Sequence, residues 1–380
     1  VTRYRSDYPP ESDLEELARA GTPQPLQSLQ RTPSYKRPPT LRISRRSFLN
    51  STSTLALGGI MPRALALARP TKVVLLLTGV INDGGWGQLA YEGIERLRAD
   101  PRFYATYAED ITLAQVQQVA RGYSDDGFDL ILGHGFEFSS ALLDVAPDYP
   151  HLDYFVTSFI PNHPVPRNVM FVNMGYFDAA YGAGALAALI SNKRQAVGFV
   201  GGADDPNQQR MKLAFIAGAQ RTVPGIRGLG IITGDYDNAA KGREAASTLI
   251  GSGCDVIWHA ADVTGLGVLQ GVAQSAPSAH VKVMGCYSDQ TSLAPNHIAT
   301  SFEMNLAGMV TTTANAVASH TFTGGTEWRP SVDRMWLLRA GTHGEYNPSL
   351  VSAQAWSTFQ QIWSGLAQGR IDVSAAVATL

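Results

Sequence analysis

Cysteine is nearly missing from this chain: Cys254 and Cys286 are the two in 380 residues. Two thiols are too few for a disulfide framework or a thiolate metal site, and the eight histidines stand without close ligand spacing. No metal and no cofactor is expected. An excess of positive charge is also missing. Thirty Lys plus Arg against 32 Asp plus Glu give a net charge of -2, so the basic field that non-specific nucleic-acid binding needs is not there, and no nucleic-acid partner is expected. Motifs of catalysis are missing too. There is no Gly-x-Ser-x-Gly elbow, and Ser139, Ser140 and Ser158 have no companion histidine at a recognisable spacing. Gly201-Gly202 lacks the spaced third glycine of a dinucleotide fingerprint, and Pro206 follows it. An enzyme is not expected.

What is present is a chain that can bury a large core, with 44% hydrophobic residues, 37 Gly and 21 Pro. Its length calls for two domains. Residues 1–43, rich in Pro, Ser, Arg and Glu, show no hydrophobic periodicity and read as a disordered extension. Residues 44–68 then read as a signal. Arg45-Arg46 with Phe48-Leu49 forms a positive region, an uncharged apolar stretch runs to Pro62, and Ala64-Leu65-Ala66-Leu67-Ala68 offers a small-x-small cleavage site. The paired arginines resemble a twin-arginine export signal, which implies a soluble periplasmic protein. The apolar run is too short to span a bilayer, and with no cysteine at the cleavage region no lipid anchor is expected.

From Thr71 onward the pattern alternates. Lys72 to Leu77 is a short apolar run followed by an amphipathic stretch from Gln88 to Arg98, and the unit recurs at Leu130 to Leu132, Ala196 to Val200 and Asp255 to Trp258. A further strand is expected at Val281 to Met284. Apolar strands spaced by helices lie in parallel sheets covered on both faces. The expected fold class is therefore α/β, with two doubly wound parallel-sheet lobes and a ligand cleft between them at the strands' carboxyl ends. Near the C-terminus, Trp336 to Ala340 reads as a strand crossing between lobes and Ala353 to Leu366 as a helix with Phe359, Ile362 and Trp363 on its packed face.

The expected strand ends carry Asp83, Asp204, Asp205, Asp262 and Asp289, each of them a helix cap or an acceptor for a ligand. His134 and His259 stand there as well, more simply as structural histidines than as ligand contacts. Gly265 and Gly267 either permit tight packing or open a helix whose bare N–H groups meet a ligand. Trp86, Phe136, Phe159 and Tyr287 fall on loops just beyond strands, where they either stack a flat ligand or anchor the loops on the core.

These stretches, in order, resemble the basic membrane protein family of ABC-importer substrate-binding proteins, which includes a purine nucleoside receptor. The matching runs are Asn82-Asp83-Gly84-Gly85-Trp86-Gly87-Gln88-Leu89-Ala90-Tyr91-Glu92-Gly93, Asn168 to Ala188, Val197 to Gly202, Gly253 to Ala261 leading to Thr264-Gly265-Leu266-Gly267, and Ser288-Asp289-Gln290. The resemblance implies a type I periplasmic binding-protein fold, two lobes joined by a three-strand hinge. It implies lobe 1 at residues 69–174 plus 304–335 and lobe 2 at 175–303 plus 336–380. It implies a monomer that delivers a small molecule to a permease in the inner membrane. Residue by residue, Asn82 and Asp83 fall where the family contacts a base edge and Trp86 on a stacking phenylalanine. Met211 falls on the second such phenylalanine, Phe159 on an aspartate, and Gly265 and Gly267 on the glycine loop nearest the ligand.

Two departures set the ligand apart. Tyr287 stands where the family has an acid, and Met304 where it has a lysine. In the nucleoside receptor these charged groups hold the ribose, so their joint replacement implies a ligand without one, a purine base or similar flat N-heterocycle. The alternatives are a nucleoside held by other contacts, a periplasmic ligand sensor, and an α/β hydrolase.

Overall fold

The structure, a computed structural model, describes residues 69–82, 85–157 and 164–380. The expected extension and signal, and the candidate residues Asp83 and Phe159, lie outside the described residues. Among the described residues, twelve strands form two six-stranded sheets. The first contains β1 (Thr71–Leu77), β2 (Phe103–Ala108), β3 (Leu130–His134), β4 (Asp153–Val156) and β5 (Val169–Val172), with helices α1 (Trp86–Arg98), α2 (Val116–Asp125) and α3 (Ser139–Val145) between them. The second is built from β6 (Ala196–Gly201), β7 (Arg227–Ile232), β8 (Cys254–Ala260), β9 (Lys282–Tyr287) and β10 (Ile298–Met304). Helices α4 (Tyr176–Ile190), α5 (Pro206–Thr222), α6 (Ala239–Gly251) and α7 (Asp262–Ala273) precede or link its strands.

The chain then returns. Helix α8 (Leu306–Ala318) packs on α1, and β11 (Thr326–Trp328) pairs with β5 in the first sheet. After the short α9 (Val332–Met335), β12 (Trp336–Arg339) joins the second sheet antiparallel to β10, and α10 (Ala353–Ala367) and α11 (Val373–Val377) complete that lobe. The strand order β11-β5-β4-β3-β1-β2 in one sheet is matched by β12-β10-β9-β8-β6-β7 in the other. All pairings but β10 with β12 are parallel. Central strands such as Val73 to Leu76 and Val256 to Trp258 are fully buried, which is why they read as unbroken apolar runs rather than as alternation.

The chain passes between the sheets at residues 173–175, at Asn305 and at 329–335, and these passages are bonded to one another. The indole N–H of Trp336 donates to the Met174 carbonyl at 2.7 Å, and the Asn305 N–H donates to the Met335 carbonyl at 2.8 Å. Trp336 is therefore the first residue of a lobe 2 strand, and the third passage is the segment leading into it.

Lobe 2 is bound together by helices in close contact. A methyl group on Gly184 of α4 would overlap the Phe215 carbonyl of α5, and one on Gly218 of α5 would overlap the Tyr181 carbonyl of α4. The same reciprocal arrangement joins α6 and α7, through Gly242 against the Thr264 carbonyl and Gly267 against the Ala239 carbonyl. Backbone meets backbone at both crossings, so no side chain can swing away to make room. Gly184→Ala should therefore destabilise the protein by about 1–3 kcal/mol, the usual cost of overpacking. Thermal denaturation followed by circular dichroism checks this against Gly251→Ala, at a helical glycine with open space around it.

Candidate ligand-binding cleft

The carboxyl ends of the two sheets face each other. A Cβ on Gly85, which precedes α1 in lobe 1, would lie 3.6 Å from Asp262 Oδ1 at the start of α7 in lobe 2. Asp262 thus reaches across the interval between the lobes, from a backbone held at φ 43°, in the left-handed region that side chains other than glycine seldom adopt.

On the lobe 1 wall, Trp86 stacks on His134 with ring centroids 4.1 Å apart and planes inclined by 17°. His134 Nε2 lies 3.0 Å from the Trp86 carbonyl, which can only accept, so in a neutral ring Nε2 carries the proton. Nδ1 then accepts from the Thr157 hydroxyl at 3.1 Å, while the Thr157 oxygen accepts the Gly135 N–H at 2.8 Å. His134 is a structural histidine that fixes the indole. One face of Trp86 is consequently occupied, and a ligand can stack only on the other.

The hinge side of the wall is aromatic. Tyr287 ends β9 with φ 70°, and its ring centroid lies 6.2 Å from that of Trp336. Tyr176, at the start of α4, meets the same indole edge-on at 5.8 Å. Met304 is the cross-strand partner of Trp336, and Glu303 that of Tyr287. Both Tyr287 and Met304 are buried. Met211, also buried, belongs to the same apolar cluster, against which Ile81, Trp86 and Tyr176 pack. Tyr287, Tyr176 and Met304 thus meet at Trp336, while Met211 and Trp86 share with them one apolar cluster. Burial pushes the Tyr176 and Tyr287 phenols well above their ordinary range, with neighbouring acids and phenols adding to the effect, so both present neutral O–H groups. Asn82 is exposed on the loop after β1.

The lobe 2 wall contains a further phenol. Asp205 caps α5, its Oδ1 accepting from Asn207 N at 2.8 Å and Gln208 N at 2.9 Å, and its Oδ2 accepts from the Tyr236 hydroxyl at 3.1 Å. Burial also raises the Tyr236 phenol. Asp289 is likewise engaged, accepting from Thr291 N and Thr291 Oγ1 in its own loop and from Gly341 N beyond β12. Tyr176, Tyr236 and Trp336 were not picked out as site residues in the sequence. Tyr176 did lie inside a matched stretch, after a glycine at φ 64°, and Trp336 opened a predicted strand, but nothing marked Tyr236.

One expectation needs correction. Helix α7 begins at Asp262 rather than at Gly265, so Gly265 and Gly267 are inside it and not on a loop with bare N–H groups. The Gly265 N–H donates to the Ala261 carbonyl at 3.0 Å, a methyl group on Gly265 would overlap the His259 ring, and Gly267 meets α6. Their smallness serves packing within lobe 2. Phe136, two residues after His134, is 73% exposed and lines a groove with Thr78, Ile111, Thr112, Leu113 and Glu137 at the carboxyl end of β3. Asp262, for its part, stands between the lobes and is more than a cap.

A model of the family described as "ABC transporter substrate-binding protein PnrA-like", Bmp, matches residues 70–336. The chain belongs to the Bmp family. Basic membrane protein A1 of Borrelia garinii is 27% identical over 256 residues, 67% of this chain and 75% of that protein. The CD4+ T-cell-stimulating antigen of Listeria monocytogenes is 29% identical over 222 residues, 56% of this chain and 61% of that one. Among solved structures, an ABC transporter solute-binding protein from Aeropyrum pernix superposes with TM-score 0.68 at 20% identity, covering 80% of this chain and 93% of that one. A solute-binding protein from Conexibacter woesei gives TM-score 0.64 at 22% identity, covering 80% and 98%. The fold is thus the type I periplasmic binding-protein fold expected from the sequence, and the role that of a substrate-binding protein of an ABC importer. No helix among the described residues is long and apolar enough to cross a membrane.

Behind the aromatic wall lies a buried polar bridge that fixes Tyr287. Gln290 Oε1 accepts both the Cys286 N–H at 3.1 Å and His259 Nε2 at 2.9 Å, and the Gln290 N–H donates to Ser301 Oγ at 3.1 Å. Because the same atom accepts a backbone N–H, it is the amide oxygen, and His259 must be the Nε2–H tautomer. Its Nδ1 has no hydrogen-bond partner. Burial lowers the His259 pKa from 6.5 to about 4. An unfolded chain takes up this proton near pH 6.5 and the folded one only near pH 4, so the stability is complete above pH 6.5 and is lost as the pH falls toward 4. The loss attributable to His259 should reach about 3 kcal/mol by pH 4. Urea unfolding at pH 7, 5.5 and 4 should show that component in the native protein and not in His259→Gln, whose amide keeps a donor but does not titrate.

Proposed function

We propose that this Bmp-family protein captures a purine base, or a flat N-heterocycle of similar size, and delivers it to its importer. The observation that carries this reading is the apolar, aromatic hinge wall: Tyr287 beside Trp336, with Met304 as the cross-strand neighbour of the same indole. Its surfaces suit the face of a ring, and it offers no charged pair to hold a ribose. Trp86 supplies the opposing ring from lobe 1, and Asn82 and Asp83 the hydrogen bonds to the polar edge. Stacking contributes about 0.5–1.5 kcal/mol per ring beyond area burial, so the polar edge must supply the selectivity. We infer also that the protein works in the periplasm after export on the twin-arginine signal at 44–68, as a monomer.

Mass spectrometry of small molecules released by denaturing the purified protein tests the ligand class. A purine or related base without its riboside is the expected result; an intact nucleoside overturns the assignment of Tyr287 and Met304. In titration calorimetry with adenine, Trp86→Ala should weaken binding about tenfold, which corresponds to the stacking and burial of one ring. Asp83→Ala should cost more, since it removes a charged hydrogen-bond acceptor. Equal affinity for adenine and adenosine in the native protein would likewise contradict the missing sugar clamp.

A further inference from the structure

The pair Gly201-Gly202, which fails as a dinucleotide fingerprint, has another use. Gly201 ends β6, and a methyl group on Gly202 would overlap the ring of Tyr236. The ring therefore lies directly on the backbone at the carboxyl end of β6, the end that faces lobe 1.

Tyr236 is held there from two sides. Its carbonyl accepts the Thr264 N–H at 2.8 Å, while Thr264 Oγ1 donates to the Asp235 carbonyl at 2.8 Å and accepts the Asn238 N–H at 2.9 Å. Thr264 is fully buried in the first turn of α7, two residues after Asp262. At its other end the phenol donates to Asp205 Oδ2, on the cap of α5, at 3.1 Å. The loop between β7 and α6 is thus fixed to the starts of both α5 and α7. Asp262, which reaches toward Gly85 of lobe 1, is among the charges that raise the Tyr236 phenol, and both residues act on Tyr176 and Tyr287 of the aromatic wall.

This end of lobe 2 is rich in acceptors and poor in donors. A phenol has one hydrogen, and that of Tyr236 points at Asp205, so toward the cleft its oxygen can only accept. The Asp262 carboxylate accepts as well. Deeper in the lobe Gln208, 3% exposed, has a side-chain oxygen with no hydrogen-bond partner, and its amide lies within reach of the Tyr236 phenol. The cations on the adjoining helices are turned elsewhere: Lys241 pairs with Asp235 at 3.2 Å, and Arg210 lies over the Phe177 ring at 6.0 Å. Buried acceptors without donors are costly. An acceptor edge beside an aromatic wall is complete when the ligand brings the N–H groups.

We propose that Tyr236 and Asp262 form a second reading edge, on lobe 2, which accepts the N–H groups of an exocyclic amino group and so selects amino-substituted heterocycles over oxo-substituted ones. An oxo group in the same place would set its lone pairs against those of the phenol and the carboxylate, and would leave three acceptors unpaired in place of none. The inference rests on the reading of the ligand as a flat N-heterocycle and narrows its class.

Titration calorimetry of the full chain with adenine, hypoxanthine and purine tests it, since these bicycles carry an amino group, an oxo group and a hydrogen at the same carbon. The native protein should bind adenine about tenfold more tightly than hypoxanthine, or better, the ratio expected of a hydrogen bond to a charged group. Asp262→Asn introduces a donor in a residue type that tolerates the left-handed backbone, and should lower that ratio about fivefold or more, with hypoxanthine gaining in affinity. Tyr236→Phe removes the phenol acceptor and should lower the ratio of adenine to purine about fivefold. A merely structural role for the two residues would weaken all three ligands alike and leave both ratios where they were, which overturns the proposal. So does a native protein that prefers hypoxanthine. If all three ligands bind with equal affinity, the base reading stands and this inference alone is lost; if none binds, the base reading falls and this inference with it.

Discussion

The hydrogen bond from the Trp336 indole to the Met174 carbonyl organises this molecule more than any other single contact. It joins the first passage between the sheets to the end of the third, and Asn305 binds the second passage to the residue just before Trp336. The same indole is the surface on which Tyr287 and Tyr176 rest. A fully buried indole N–H without a partner would cost its desolvation, so the hinge segments and the aromatic wall are placed together or not at all. The position of the two lobes and the chemistry of the cleft are therefore set by the same side chain.

Much of this fold can be read from the chain because its central strands are buried on both faces. Uninterrupted runs such as Val73 to Leu77 and Val197 to Val200 announce themselves, and the helices after them show a clear apolar face. Strands β2, β4, β5, β7, β10 and β11 are not legible in the sequence, and several of these are short or atypical. β5 has four residues, β11 has three, and β7 contains two glycines in six residues, so length and β-propensity both fail as signals there. The family resemblance, carried by turns and glycines rather than by periodicity, spanned those gaps.

The site was legible in part, for a related reason. Tyr287 and Met304 stood out because they replace charges in an otherwise matching pattern, and the structure puts them beside one indole. Gly265 and Gly267 misled because a glycine looks alike in sequence whether it makes room for a ligand, for the His259 ring or for the carbonyl of Ala239. A shift of three residues in the start of α7 was enough to move both from a binding loop to a helix interior, and helix starts are the least certain feature of a sequence reading. Tyr236 was invisible since its role depends on Asp205, 31 positions away, and on a loop whose path no local pattern specifies.

The exchange of a charged pair for Tyr287 and Met304, which the family resemblance implies, is consistent with their surroundings. Met304 is 1% exposed and Tyr287 7%, so a lysine at the first position would lie in a nearly dry site. Without an acid at the second it would be an unpaired buried charge, costing roughly 3–5 kcal/mol. An acid alone at 287 would be no better, since the neighbours already acting on that phenol include Asp262. Only the double exchange to neutral groups avoids both penalties. Once made, it favours what the rest of the wall favours. Tyr176, Tyr287 and Trp336 then form one apolar aromatic surface braced from behind by the bridge from Gln290 to His259, whose histidine stays neutral at the pH of ordinary life. A wall of this kind presents a flat, uncharged surface to the face of a ring, with the phenol O–H groups of Tyr176 and Tyr287 as its polar points.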